Sequence, residues 1–427
     1  MSQKLSLKSD FFKYVLILVS GTASAQIISY ALSIPIFRYF YVPEEGAELG
    51  IFMRIAGVGA AIATFRYEMA LPIPKSNAHS FRLYRVAFVI TMIATFASVV
   101  IFAVTAAFTG TDRVLYWLML PLTIFFMAFH AIGTNWAIRF KQFKDISYTR
   151  FGNSLLGNGS KLFFGWMGVG YMGLIFGTIV GYAVSSFWFL REFFRSKKTY
   201  KIPSRSPRNY AIAKQYFEYP KINLPHVLLD LGRDLLVAAI ILGFFSKHDY
   251  GLFDHSYRML LVPMVFFGQA IGQVFFQRAA DKVNQKQIVL PDMISSIRIL
   301  TLASIIPFTT LFFFGEELFG FVFGDEWREA GYYSEIMTPW FMVNFVSSPI
   351  TSLPLVLGKQ KEFFHLAIFG SALIIGAISI PYLVFGADLV TSLWVLSISQ
   401  VFYKLFLIFK LFTFAKEADA KIELNGN

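Results

Sequence analysis

The sequence predicts an all-α integral membrane protein with about twelve transmembrane helices in two six-helix lobes. Three observations predict it. Of 427 residues, 56% are hydrophobic and 15% charged, too apolar for a soluble chain of this length. Apolar stretches repeatedly reach or approach the roughly 20 residues that span a bilayer core. The basic residues gather in short connections on alternate sides of those stretches, as cytoplasmic loops require.

The spans fall approximately at 14–37, 49–71, 86–108, 114–138, 151–169, 171–190, 222–245, 250–277, 299–315, 333–357, 363–385 and 388–409. Lys4, Lys8 and Lys13 lead into the first. No small-residue cleavage pattern closes a short apolar core there, so the segment reads as a retained helix rather than a removed signal peptide. With the N-terminus inside, the cytoplasmic connections hold 28 basic residues and the opposite side holds four, Arg38, Arg113, Lys247 and Arg328. A missed or invented span would invert part of that asymmetry. Both termini are therefore expected in the cytoplasm and the protein in a bacterial inner membrane.

The longest polar connection, 191–221, carries nine basic residues with Pro203 and Pro207. It divides the chain into an N-terminal lobe 1–190, a basic linker 191–221, a C-terminal lobe 222–412 and a tail 413–427. Orientation and attraction to anionic lipid headgroups account for its charge without any partner. The lobes echo one another weakly: Leu49-Gly50-Ile51-Phe52 opens the second span and Tyr250-Gly251-Leu252-Phe253 the eighth. Segment 316–331, apolar and then acidic, reads as an outer interfacial element.

Several function classes drop out. The net charge of +12 does not imply nucleic acid, because the basic residues lie in loops between spans rather than on a solvated domain. No cysteine is present, and the six histidines show no ligand spacing, so neither a metal site nor a cofactor is expected. No paired carboxylates stand in a solvated loop and no catalytic residue is assigned. A membrane glycosyltransferase or polymerase is thereby disfavoured.

Ionisable residues inside spans are costly unless they face protein or a wet cavity, so they point to a pathway. His226, Asp230, Arg233 and Asp234 recur at i, i+4, i+7 and i+8, on one helical face. Arg233 lies roughly 18 Å from either end of its span at about 1.5 Å per residue. A buried ion pair that only fixes packing is the plainer explanation; two carboxylates and a histidine exceed its needs. Asp254 and Arg258 form an i, i+4 pair with His255 beside them. Asn153, Gly157, Ser160 and Lys161 form one stripe, and Arg54, Arg66 and Glu68 belong to the second span. Arg54, Arg66, Lys161, Arg233 and Arg258 would make a cavity between the lobes cationic, suited to phosphate oxygens. Glu68, His226, Asp230 and Asp234 are the candidates for ion coupling. Gly173, Gly177 and Gly181 read as a close helix-packing stripe.

The run Phe65-Arg66-Tyr67-Glu68-Met69-Ala70-Leu71-Pro72 resembles a segment of the Wzx-type oligosaccharide flippases, of the polysaccharide-export branch of the MATE-like (MOP) superfamily. So do Gly324-Asp325-Glu326-Trp327-Arg328, Pro339-Trp340, Ser347-Ser348-Pro349 and Leu357-Gly358-Lys359-Gln360-Lys361, together with Tyr250-Gly251-Leu252-Phe253, Arg258, Pro263 and Gln273 to Arg278. The resemblance implies a MATE-like fold, alternating access and an undecaprenyl-diphosphate-linked sugar repeat unit as cargo, with Arg66, Glu68 and Arg258 as functional positions. Its implied partners are that lipid-linked oligosaccharide, membrane lipids and polysaccharide assembly proteins. A multidrug or small-metabolite antiporter is the rival within the same fold. A flippase of peptidoglycan precursor would carry further helices.

Overall fold

The computed structural model describes residues 23–109, 113–200 and 207–426, and every regular element among them is helical. The basic lead of Lys4, Lys8 and Lys13, the beginning of the first span and the linker stretch 201–206 with Pro203 lie outside the described residues. The chain is an all-α membrane protein. Among the described residues, seven helices are long and apolar enough to cross a bilayer by length and composition.

The chain divides into two compact units, the first comprising residues 1–41 and 48–235 and the second residues 42–47 and 236–427. Unit 1 contains α1 (23–39), α2 (Pro43–Thr64, beyond its first turn), α3 (Asn77–Thr109), α4 (Val114–Arg139), α5 (Phe143–Trp166), α6 (Tyr171–Tyr200), α7 (Pro207–Gln215) and the start of α8 (Leu224–Phe244). Unit 2 contains the end of α8, α9 (Lys247–Leu260), α10 (Gln269–Asn284), α11 (Leu290–Phe323), α12 (Arg328–Ser347), α13 (Leu353–Val356), α14 (Gln360–Phe385) and α15 (Leu389–Gly426). Each expected span has a helical counterpart. Apart from α1, whose described part is too short for the criterion, the spans that fail it are the ones loaded with charge or broken: α5, α8, the α9–α10 pair and α12.

Aromatic side chains and small residues set the packing. In unit 1, Tyr84 stacks on Trp136 at 4.9 Å and Phe88 on Phe193 at 4.7 Å, tying α3 to α4 and α6. Between α5 and α6 the glycine stripe brings backbones together: a Cβ on Gly177 would stand 2.8 Å from the Gly157 carbonyl oxygen, and one on Gly181 2.9 Å from that of Asn153. Ser185 and Ser186 of α6 donate to the Thr149 and Phe126 carbonyls, at 2.9 and 2.8 Å, a polar adhesive suited to helices in lipid. In unit 2, Phe275, Met293, Ile350, Leu353 and Leu411 form one buried cluster. The end of α15 reaches the start of α11, where the Asp419 carboxylate accepts the Val289 and Leu290 N–H groups at 2.9 and 3.0 Å. Helix starts expose such donors, and the carboxylate satisfies them.

Three expectations need correction. The second span does not continue to residue 71: α2 ends at Thr64, Phe65 and Arg66 adopt φ of 47° and 59°, and Tyr67–Ala70 forms a 3₁₀ turn. The Arg66 N–H turns back to Thr64 Oγ1 at 3.2 Å, which stops the helical ladder. The eighth span is not one helix, because α9 closes at Leu260 and Met264–Gly268 widens into a π turn before α10. Pro263 lacks the N–H that an unbroken helix would donate. Segment 316–331 is not a separate interfacial element. Helix α11 runs to Phe323 through a kink at Phe314 (φ −136°, ψ 19°), then a 3₁₀ turn Asp325–Trp327 leads into α12, and Trp327 is buried. Glu335 of α12 accepts the Glu316 N–H at 2.9 Å, satisfying a donor that the kink leaves open.

Candidate functional site

The charged residues of the spans are held by partners close to them in the chain, mostly carboxylates. On α8, Arg233 binds Asp234 through Nη2 at 2.8 Å and Nε at 3.0 Å, and reaches Asp230 through Nη1 at 3.4 Å. The i, i+3 spacing places Asp230 on the same face as Arg233, and the guanidinium folds back onto the adjacent Asp234. Asp230 remains 58% exposed. His226 shares this helix, one turn before Asp230.

At the end of α2, the left-handed pair Phe65-Arg66 reverses the chain so that Arg66 Nη1 meets Glu68 Oε1 at 3.1 Å. The Glu68 side chain is only 2% exposed, and its Oε2 is buried with no hydrogen-bond partner among the described residues. A carboxylate in that setting is expensive without its guanidinium. In unit 2, Arg258 Nη2 meets Asp254 Oδ2 at 2.7 Å, with the acid 5% and the guanidinium side chain 39% exposed. Each pair thus buries an acid and leaves an arginine accessible.

The remaining candidates are held differently. Arg54 donates through Nη1 to the Gly50 carbonyl one turn back, at 3.4 Å. Lys161 lies on α5 with its stem against Gly177 and its Nζ 3.5 Å from Asn158 Oδ1. Tyr41 donates to the Lys161 carbonyl at 2.9 Å, fixing the backbone there. Among the nine candidates, direct pairing joins Arg66 with Glu68 and Arg233 with Asp230 and Asp234. Arg258 belongs to unit 2, and the other eight belong to unit 1.

Other polar residues escaped the sequence reading. Glu48, buried in α2, meets Arg113 at 3.0 Å; Arg113 counts as a loop residue when only topology is read. Arg139 donates to the Pro72 carbonyl at 3.1 Å and grips Asn77 Oδ1 at 3.2 and 3.0 Å, tying the end of α4 to the connection before α3. Arg150, expected at the edge of a span, lies well inside α5. His130 lies inside α4 with its Nδ1 buried. The signal for His130 is a histidine in a run of Phe, Ala and Ile, which a search for metal spacing passes over. No group of three or more metal-ligating side chains gathers among the described residues.

A family described as "Polysaccharide biosynthesis protein" matches residues 53–331. A comparison with curated protein sequences returns no significant match. Among solved structures, an inward-facing multidrug resistance MATE family transporter of the MOP superfamily is similar to this chain at a TM-score of 0.69 and 12% identity, over 95% of this chain and 100% of that one. The lipid II flippase MurJ, in an inward closed conformation, is similar at a TM-score of 0.69 and 15% identity, over 96% of this chain and 90% of that one. An outward-facing MATE family transporter follows at a TM-score of 0.60 and 14% identity, over 96% and 95%. At these identities the likeness shows the fold, which is MATE-like.

Proposed function

The chain belongs to the polysaccharide biosynthesis protein family, and from that premise we propose that it is a flippase. Its passenger is an undecaprenyl-diphosphate-linked oligosaccharide repeat unit, moved from the cytoplasmic to the periplasmic leaflet of a bacterial inner membrane for surface polysaccharide assembly. The observation that carries this reading is the recurrence in a membrane protein of an arginine oriented by an acid and still partly exposed: Arg66 on Glu68 in the turn after α2, Arg233 on Asp234 in α8 and Arg258 on Asp254 in α9.

A guanidinium has five N–H donors in a rigid fork. A carboxylate that takes one or two of them fixes the plane of the group and leaves the others to phosphate oxygens. An arginine held in this way binds an anion without the cost of ordering a free side chain at the moment of binding. Arg54 and Lys161 supply further positive charge in unit 1. The lipid tail stays in the bilayer, and alternating access moves the headgroup past these side chains. Asp230, exposed beside a guanidinium already bound to Asp234, supports coupling to a proton or sodium gradient.

The experiment compares cells carrying the wild-type chain with cells carrying Arg66→Ala, Arg258→Ala or Lys161→Ala, at equal protein levels in the membrane. Loss of surface polysaccharide with accumulation of the lipid-linked repeat unit is expected. Full retention of the polysaccharide in all three would overturn the reading. Drug resistance on overexpression, with unchanged polysaccharide, would assign the chain to antiport instead.

A further inference from the structure

The turn that closes α2 is strained and is clamped by two other helices of unit 1. Phe65 and Arg66 both adopt left-handed backbone, with φ of 47° and 59°, where a side chain crowds the following carbonyl oxygen. Residues persist in that region only when their surroundings over-determine them. Here the surroundings do so on both sides of the pair. Thr91 of α3 donates to the Ala63 carbonyl at 3.2 Å, and Ser80 of α3 to the Leu71 carbonyl at 2.6 Å. Tyr67, the residue after Arg66, donates its hydroxyl to the Ala213 carbonyl of α7 at 3.0 Å, across 146 residues of chain.

That last clamp comes from the basic linker. Apolar burial seats α7 against the turn: Ile212 lies in the same buried cluster as Tyr67, Ala70 and Leu71. Just beyond α7, the Tyr216 ring meets His79 of α3 edge to face at 6.2 Å. What the clamped turn presents is Arg66, with Nη1 on Glu68 Oε1 at 3.1 Å and 22% of its side chain exposed. The pair is held at a cost, because Arg66 Nε and Glu68 Oε2 are buried with no hydrogen-bond partner among the described residues. Strain and unsatisfied atoms together are what a site accepts in order to aim one group.

We propose that Tyr67 is the positioning residue for Arg66: by tying the turn to α7 it aims the guanidinium at phosphate oxygens of the passenger headgroup. The linker helix thereby becomes part of the frame of the binding site. The inference rests on the flippase reading and deepens it by naming what holds one of its arginines. Tyr67 is buried and its hydroxyl donates to Ala213, so it acts through the turn and not on the headgroup. Without that bond the left-handed pair relaxes, and the ordering of the guanidinium returns as a cost at the moment of binding.

The test uses the full chain in lipid nanodiscs, titrated calorimetrically with farnesyl diphosphate, inorganic pyrophosphate and farnesol. Tyr67→Phe removes the hydroxyl alone and should weaken farnesyl diphosphate binding about fivefold, the equivalent of one hydrogen bond. Arg66→Ala should weaken it about tenfold or more, the share of a charge-assisted contact. Farnesol binding should stay unchanged in both. In the Arg66→Ala background, Tyr67→Phe should have no further effect on diphosphate affinity, whereas a merely structural loss would weaken binding with or without the arginine. Ile212→Ala, which loosens the seat of α7 without touching the turn, should act in the same direction and again only while Arg66 is present. Melting temperatures establish the folding of each variant.

Unchanged diphosphate affinity in both Tyr67→Phe and Ile212→Ala, or an equal loss in the presence and absence of Arg66, would overturn the proposal. Inorganic pyrophosphate binding as tightly as the prenyl compound, with the same dependence on Tyr67, would support the positioning with a soluble anion as its source. If the wild-type chain binds neither phosphate probe while its deletion still abolishes surface polysaccharide, the positioning falls and the flippase reading stands. If Tyr67 and Arg66 are coupled in diphosphate binding but deletion leaves the polysaccharide intact, the positioning stands and the flippase reading falls.

Discussion

The Arg258–Asp254 pair predicts an asymmetry between its two deletions. Asp254 is 5% exposed and Arg258 39%, with 2.7 Å between them. Arg258→Ala leaves a carboxylate in the interior without its guanidinium, a loss of about 3 kcal/mol by the behaviour of broken buried pairs. Asp254→Asn leaves an accessible guanidinium that water can solvate, with an amide oxygen still in reach, so the cost is about 1 kcal/mol, as for exposed pairs. Replacing both, Asp254→Leu with Arg258→Met, removes the stranded charge. It should recover about 2 kcal/mol relative to Arg258→Ala, since apolar isosteres of buried pairs are often tolerated. The assay is denaturant unfolding in nanodiscs for wild type, the two single variants and the double replacement, compared at equal m-values. A cost for Asp254→Asn equal to or greater than that of Arg258→Ala would refute the reasoning. It would mean that the guanidinium rests against acyl chains rather than water, and an anion could not reach it.

Three further outcomes are expected. Gly181→Leu forces α5 and α6 apart where a Cβ already stands 2.9 Å from the Asn153 carbonyl oxygen; a loss of about 2–3 kcal/mol should appear as a lowered melting temperature. Asp388 accepts the Thr391 N–H at 2.9 Å ahead of α15, and hydrogen bonds from the Thr391 side chain and backbone hold its pKa below the ordinary carboxylate value. A depressed folded pKa stabilises above the unfolded value, so wild type should exceed Asp388→Ala by about 1 kcal/mol above roughly pH 4, and the gap should close as pH falls through the depressed value. Asp230→Asn and Asp234→Asn should each uncouple transport from the ion gradient, measured as loss of gradient-driven uptake in inverted vesicles; full coupling in both would remove α8 from the energy-transducing machinery.

Much of the architecture was legible because lipid imposes a strict grammar. A span must be apolar for its length, and basic residues must alternate between sides; hence each of the expected spans has a helix in place. Termination was harder to read. Phe65 and Arg66 adopt left-handed backbone without a glycine, so nothing in their identity announces the end of α2. Proline marks position 263, yet whether a proline kinks, widens or ends a helix depends on neighbours: Pro121, Pro307, Pro339 and Pro381 all lie inside continuous helices. The charged face of α8 was legible from spacing, since all its members lie on one helix. The pairing of Glu48 with Arg113 was not, because it joins residues 65 apart in the chain, a contact no periodicity encodes.

The grip of Asp419 on the first N–H groups of α11 gives the end of the chain mechanical reach. Whatever bends, masks or modifies the final turns of α15 also loosens the footing of a helix that begins 129 residues earlier. A reporter domain grafted immediately behind that aspartate would load the same joint, making carboxy-terminal tagging a perturbation of the transport body rather than a silent handle.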